Sequence, residues 1–183
     1  LDLVYATPAD HFTEDLPIGN GSFGAMVYGG VSEETIKLNH DTLWSGGPKD
    51  FTNPEAKEHL PEVRRLLFEG KYGEAEALCK QMQGPYTQSF LPMATVHVAF
   101  GHGAMIDGYT RRLSLDEAIA SVEYGADGAR YSREFFVSHP ANALVMRLAV
   151  DKPGALNCSL GIDSPLRFST SSDDGGSLIL AGK

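Results

Sequence analysis

This 183-residue chain lacks long apolar runs. No stretch of about 18 apolar residues occurs, so no segment reads as a membrane-spanning helix and no membrane partner is expected. The opening residues Leu1-Asp2-Leu3-Val4-Tyr5 supply neither the basic stretch nor the apolar core of an export leader. There is no initiating Met, which suggests that something upstream was removed, and a periplasmic or secreted protein is favoured over a cytoplasmic one. Basic residues are scarce: 15 Lys and Arg stand against 24 Asp and Glu, a formal net charge of -9. Proteins that hold nucleic-acid backbones concentrate Lys and Arg in a stripe that is missing here, so a nucleic-acid partner is excluded and a neutral ligand fits better.

Cysteine is nearly absent. Cys79 and Cys158 lie far apart and lack the C-x-x-C spacing of a zinc or redox site. They read as two buried free thiols, with a disulfide as the alternative in an oxidising compartment. No metal site is expected from histidine either: His97 and His102 would face opposite sides of one strand, and His11, His59 and His139 are isolated. No internal repeat is visible.

What the chain does contain is a 42% hydrophobic composition, enough for one sizeable core. All-β sandwiches of this length are commonly single domains, so residues 1–183 are read as one. Phe23 to Val31 is a Gly-punctuated apolar run, Thr35 to Asn39 alternates with period two, and Ser32-Glu33-Glu34 between them suggests the turn of a hairpin. Asn53-Pro54-Glu55 then reads as a helix start. Ala56, Leu60, Val63 and Leu67 make one apolar stripe, Gly70 the stop, and Pro61 a kink or break. A second short helix places Tyr72, Ala75, Leu78 and Met82 on one face before Gly84-Pro85.

From Thr95 the texture changes. Thr95 to Phe100, Ala118 to Tyr124, Ala129 to Ser138, Ala143 to Val150 and Ala155 to Ile162 are short β-like runs at even spacing, with Asp127-Gly128 and Lys152-Pro153-Gly154 as turns. Ser169 to Gly176 reads as a polar loop, and Ser177-Leu178-Ile179-Leu180 begins a last strand in what looks like mid-sheet, the pattern of a fragment of a longer protein. The fold class expected is mainly β, an antiparallel sandwich with one or two short helices inserted between early strands.

Gly19-Asn20-Gly21-Ser22-Phe23-Gly24 matches G-x-G-x-x-G, but a dinucleotide site needs a strand before it and a helix after it, and neither is read here. A kinase-type Gly-rich loop with Lys37 lacks the H-R-D and D-F-G parts. Glycines at a sheet corner are the plainer reading. No dinucleotide or other cofactor is expected. Asn39-His40-Asp41-Thr42-Leu43-Trp44 is more informative: amide, imidazole, carboxylate, hydroxyl and the only Trp of the chain lie in one turn. Sugar sites use this mixture, an aromatic face under the ring and polar groups for its hydroxyls. The structural alternative is that Trp44 anchors the loop in the core while Asp41 or Thr42 caps nearby amides.

The segments Leu16 to Gly21, Gly24 to Val31, Leu38-Asn39 and Asp41 to Pro48 together resemble the N-terminal domain of family 95 glycoside hydrolases, the α-L-fucosidase family. The likeness continues more weakly through Tyr109 to Leu115, Tyr131 to Pro140 and Ser164-Pro165. It departs at Leu91-Pro92-Met93-Ala94-Thr95-Val96, where the family often has Q-P-L-G-D-L. The resemblance implies a β-sandwich preceding an (α/α)6 barrel. That barrel would supply the acid and the water-activating asparagines for metal-free, inverting hydrolysis of terminal α-L-fucosyl or α-L-galactosyl linkages. The expected partners are then the protein's own C-terminal catalytic barrel and a fucosylated or L-galactosylated glycan. No catalytic residue is assigned here, since Asp and Glu are scattered and no acid/base pair emerges. Asp173-Asp174 reads as a solvated loop tip. Asn39, His40, Asp41, Thr42 and Trp44 are the candidates for a pocket rim or domain interface. The rival readings are a stand-alone carbohydrate-binding module, to which Tyr5, Tyr86 and Tyr109 could contribute, and a structural or oligomerising sandwich.

Overall fold

Period-two alternation dominates the chain outside residues 44–90, and in the computed structural model, which describes residues 1–103 and 105–182, those stretches are strands. In chain order the elements begin with β1 (Asp2–Tyr5), a 3-10 turn (Phe12–Glu14), β2 (Leu16–Gly19), β3 (Phe23–Val27), β4 (Glu33–His40), α1 (Ala56–Phe68) and α2 (Tyr72–Met82). There follow β5 (Ala94–Phe100), β6 (Ile106–Ser114), β7 (Ile119–Ala126), β8 (Ala129–Ser138), β9 (Ala143–Val150), β10 (Cys158–Asp163), β11 (Phe168–Ser172) and β12 (Leu178–Gly182). They form two compact units: Leu1–Leu43 with the chain from Leu91 onward, and Trp44–Phe90.

The first unit is the expected antiparallel sandwich. One sheet runs β1-β6-β7-β8-β9, the other β10-β5-β4-β3-β2, and β11-β12 form a separate ribbon. Inward-facing residues of β2 to β4 and β6 to β8 meet between the sheets: Leu16 and Ile18, Ala25 and Val27, Ile36, Leu113, Ala120, Val122 and Tyr124, Tyr131 and Phe135 form one buried cluster. Burying a side chain of this size contributes roughly 1.5–3 kcal/mol, so this cluster dominates the unit's stability. At Asp127-Gly128 both residues have positive φ, +50° and +71°, the requirement of a tight type I′ hairpin between β7 and β8. The expected turn at Lys152-Pro153-Gly154 also forms, with the Ala155 N–H donating to the Lys152 carbonyl at 3.2 Å.

Several boundaries differ from the sequence expectation. Glu33 and Glu34 belong to β4 rather than to the turn, since Glu34 alternates in register with Ile36 and is fully buried. A strand, β2, does precede the Gly19–Gly24 motif, and another strand follows it, so the motif is a hairpin. β6 escapes the alternation argument because Arg111-Arg112 interrupts its apolar pattern and its register shifts between Asp107 and Thr110 around Gly108. β11 occupies part of the expected polar loop: its five residues are all exposed, so no alternation marks it. Asp173, at the tip between β11 and β12, accepts from Gly175 N–H and Ser177 N–H through Oδ1 and is solvated as expected.

The second unit contains the two helices. α1 buries Val63 and Leu66 and α2 buries Ala75, while Leu67 is exposed, so the stripe steps by three from Val63 to Leu66 rather than by four to Leu67. The first helix starts at Ala56, later than Asn53 suggests. Asn53 instead accepts from Glu55 N–H at 3.0 Å and donates its amide to the carbonyls of Gln81 and Gln83, tying the start of α1 to the end of α2. Pro61 lies inside α1 without ending it. Gly70 has φ +73°, the Gly70 N–H donates to Leu67 O and the Lys71 N–H to Leu66 O, the paired bonds of a glycine-stopped helix. Cys79 and Cys158 are both free, but Cys79 is only half-buried on α2 and Cys158 is exposed at the start of edge strand β10, so neither is the buried thiol expected.

Candidate functional site

β4 carries Asn39 and His40 to its end, opposite Gly24 and Phe23 of β3. The chain then turns, with Asp41 N–H donating to Ser22 O at 2.8 Å and Leu43 N–H to His40 O at 3.1 Å. Three groups converge on the His40 Nδ1: Thr42 Oγ1 at 2.9 Å, Asp41 Oδ1 at 3.0 Å and Thr42 N–H at 3.3 Å. A neutral imidazole accepts there from the Thr42 amide, and a protonated one donates to Asp41. Asn39 Oδ1 accepts from His40 N–H at 2.8 Å. Asp41 and Thr42 are exposed, so the turn offers carboxylate, hydroxyl and imidazole to solvent in a prearranged cluster.

Trp44 stands apart from this turn in the chain's organisation, because the boundary between the units falls between Leu43 and Trp44. In the second unit Trp44 pairs antiparallel with Phe90. Their rings meet edge to face with centroids 5.1 Å apart. Half of the Trp44 side chain lies in solvent. Among the other aromatic candidates Tyr5 is partly exposed and Tyr86 fully exposed, while Tyr109 is largely enclosed and donates to Gly29 O at 2.6 Å.

The strongest electrostatic feature lies inside the sandwich and escaped sequence reasoning. Glu34 of β4 and Arg133 of β8 form an ion pair across the two sheets at 3.1 Å, both essentially without solvent contact. Gly29 N–H donates to Glu34 Oε1 at 2.7 Å, and Arg133 donates to Glu34, Tyr124 and the carbonyls of Gly30 and Val31. The guanidinium lies 3.9 Å from the Phe100 ring centroid. Burial pushes the Glu34 carboxyl up to about 7 against the opposing pull of Arg133 and the Gly29 and Gly30 amides. His102 extends the network, its Nε2 2.8 Å from the Tyr124 hydroxyl. The only signal available in the sequence was positional: Glu34 and Arg133 stand in inward register with Ile36 and Phe135.

A second buried carboxylate, Asp15, sits where the 3-10 turn enters β2. Neither of its oxygens meets a donor within hydrogen-bond geometry among the described residues. Burial lifts its carboxyl to about 6, while the nearby Lys37 and Arg111 charges and the Tyr28 hydroxyl pull down and Glu14 pushes up. The folded state therefore holds the Asp15 proton more tightly than the unfolded chain. Its contribution to stability is complete near pH 4 and is lost as pH rises through about 6. Asp15→Asn is expected to leave stability nearly unchanged at pH 3, below the unfolded-state value, and to raise it progressively up to pH 8, where the gain is about 1–3 kcal/mol, measured by urea unfolding; a variant less stable at pH 8 would show that the carboxylate is satisfied.

His97, on β5, is held between Glu33 at 3.0 Å and Asp163 at 3.1 Å, one carboxylate on each ring nitrogen. This arrangement links three strands on the sheet's outer face. Among the described residues no three His, Cys, Asp or Glu side chains converge as a metal site. Among the same residues no helix is long and apolar enough to cross a membrane.

Residues 3–183 match the family described as glycosyl hydrolase family 65, N-terminal domain. The chain belongs to this family. As a glycosyl hydrolase N-terminal domain it is 37% identical over 169 residues to a protein named alpha-L-fucosidase 2 from Arabidopsis thaliana, a match covering 91% of this chain and 20% of that protein. It is also 35% identical over 144 residues to a probable alpha-fucosidase A of Aspergillus niger, covering 75% of this chain and 18% of the relative. The corresponding protein of Aspergillus oryzae is 30% identical over 146 residues, covering 76% and 20%. The domain thus spans about a fifth of the length of the curated relatives it matches. The expected kinship with the N-terminal domain of fucosidase-type glycoside hydrolases is borne out.

Proposed function

We propose that this domain is the accessory N-terminal part of an α-L-fucosidase of the family 95 type, in which a separate catalytic barrel hydrolyses terminal α-L-fucosyl linkages by inversion. The observation that carries the reading is the 37% identity across 91% of the chain to a relative named alpha-L-fucosidase 2, of which this chain matches only a fifth. The placement of the domain's own buried carboxylates supports an accessory role. Glu34 is consumed by Arg133 in the interior and Asp15 is enclosed, so neither faces a second carboxyl across an open cleft, which glycoside hydrolysis requires. In the proposed reaction a barrel acid protonates the leaving oxygen while water attacks the anomeric carbon from the opposite face. The Asn39–Thr42 segment, exposed at Asp41 and Thr42, is suited to hydrogen-bond the rim of such a pocket.

Release of L-fucose from a 2'-fucosylated oligosaccharide, compared between this domain and the full-length protein, tests the proposal. Turnover is expected with the full-length protein only. Hydrolysis by the domain itself would overturn the accessory assignment, and an inactive full-length protein would overturn the fucosidase assignment.

A further inference from the structure

The second unit holds an aromatic surface that the reading above leaves unused. At its neck the two strands of chain leaving and rejoining the unit run antiparallel: Trp44 bridges Phe90, Ser45 N–H donates to Ser89 O at 2.9 Å, and Ser89 N–H donates to Ser45 Oγ at 2.9 Å. This ladder holds the two rings in edge-to-face contact, yet Trp44 is 50% and Phe90 49% exposed. Single exposed apolar side chains are ordinary, whereas a locked pair of half-exposed rings is a prepared surface. Directly along the ladder the chain opens into a recess of about 390 Å³ bordered by Gly46, Gly47, Lys49, Phe51, Tyr86 and Thr87. That volume falls in the lower part of the range of roughly 300–1,000 Å³ typical of small-ligand sites.

Gly46 has φ +89°, a left-handed conformation that favours glycine, and a Cβ there would come within 3.0 Å of Thr87 O and 3.1 Å of Gln88 Cγ, so the two borders of the recess approach closely at this point. An added Cβ at Gly47, which also borders the recess, would meet nothing within 4 Å. The Tyr86 ring, fully exposed, stands at the mouth, and the Lys49 ammonium lies 5.9 Å from the Phe51 ring centroid.

We propose that Trp44, Phe90 and Tyr86, with the adjoining recess, bind a neutral saccharide, the portion of a fucosylated glycan that carries the fucose. The saccharide identity rests on the fucosidase reading. Flat aromatic faces match the C–H faces of pyranose rings, and hydroxyls, backbone carbonyls and an ammonium supply partners for sugar hydroxyls. Polar groups alternate with the rings at Ser45, Ser89, Thr87 and Lys49. A surface destined for another protein would carry contiguous apolar area instead. The chain's net charge of -9 selects against anionic glycans. The open, shallow form suits an extended saccharide rather than an enclosed terminal sugar.

Trp44 is the only tryptophan of the chain, so its fluorescence reports on this site alone. Titration of the chain with 2'-fucosyllactose and with lactose is expected to give a saturable spectral change with Kd on the order of 1 mM, about 4 kcal/mol of binding, and a much weaker response to L-fucose. Phe90→Ala, which keeps the reporter, is expected to weaken binding at least tenfold. Tyr86→Ser, at a fully exposed position that cannot disturb folding, is expected to weaken it severalfold. No saturable change with either saccharide, equal affinity in both variants, or a spectrum that changes with protein concentration rather than with sugar would overturn the proposal, the last by revealing a protein interface. The two readings fail separately: saccharide binding by a protein whose full-length form lacks fucosidase activity removes the fucosidase assignment alone, and an active full-length enzyme without this binding removes the saccharide site alone.

Discussion

Arg133→Met is expected to destabilise the domain by about 3–5 kcal/mol at pH 8 and by distinctly less at pH 5. The substitution keeps length and apolar volume but leaves Glu34 in the sandwich interior with no cation. At pH 8 the folded variant must either bury a lone carboxylate or take up a proton from dilute solution, and both are costly. The direction with pH follows from the Glu34 shift. Burial raises its folded-state value to about 7 even beside Arg133, above that of the unfolded chain. Its contribution is therefore complete near pH 4 and declines as pH climbs toward 7. Without the guanidinium the folded value climbs further, so the loss continues above pH 7 and the gap between variant and parent widens there. What remains at pH 5 is the loss of the guanidinium's bonds to Tyr124 and to the Gly30 and Val31 carbonyls, with its packing on Phe100. Urea unfolding of parent, Arg133→Met, Glu34→Leu and the double variant closes the cycle. The double variant is expected to be more stable than Arg133→Met at pH 8, because it removes the orphaned charge. Equal losses at pH 5 and pH 8 would show that Glu34 does not depend on Arg133.

This pair also marks where sequence reasoning stopped. The hairpin of β3 and β4, the two helices and the strands β5 and β7 to β10 were legible because apolar alternation and turn dipeptides state them locally. The interior ion pair was not: Glu34 follows Glu33 and reads as a polar turn, and Arg133 stands among Ser132, Glu134 and Tyr131 in a strand that reads as half-polar. Only the pairing of β4 across the sandwich from β8 makes both inward-facing, and that pairing is a nonlocal fact. β6 was hidden for a related reason, its buried Arg111 being satisfied by the Thr7 and Glu14 carbonyls, groups distant in sequence. For the candidate site the residue types of the Asn39–Trp44 run were legible. The division of that run between two compact units, with Trp44 joined to Phe90, depends on a strand contact between residues 46 positions apart in the chain.

The turn that seats this ion pair leads to the other large effect: Gly30→Ala is expected to cost more than about 3 kcal/mol or to prevent folding outright. The reason is space rather than dihedral angle. A Cβ at Gly30 would lie 2.0 Å from the Glu33 carbonyl oxygen and 3.1 Å from its carbon, both backbone atoms that cannot rotate away. Relief requires the segment between β3 and β4 to move, and that segment is already committed on three sides. The Gly30 carbonyl accepts from Arg133, the Gly29 amide donates to Glu34, and the Gly29 carbonyl accepts from Tyr109. A shift large enough to clear the clash breaks the bonds that make a buried carboxylate tolerable, so steric and electrostatic penalties arrive together. Gly21→Ala supplies the contrast. Gly21 has φ +100° in an open turn where a Cβ meets nothing within 4 Å, so its cost is backbone strain alone, about 1–2 kcal/mol. Thermal unfolding followed by circular dichroism would then place Gly21→Ala several degrees below the parent and Gly30→Ala far below it or without a transition; a Gly30→Ala protein melting near the parent would mean that the turn is free to relax and that the Glu34–Arg133 pair does not depend on it.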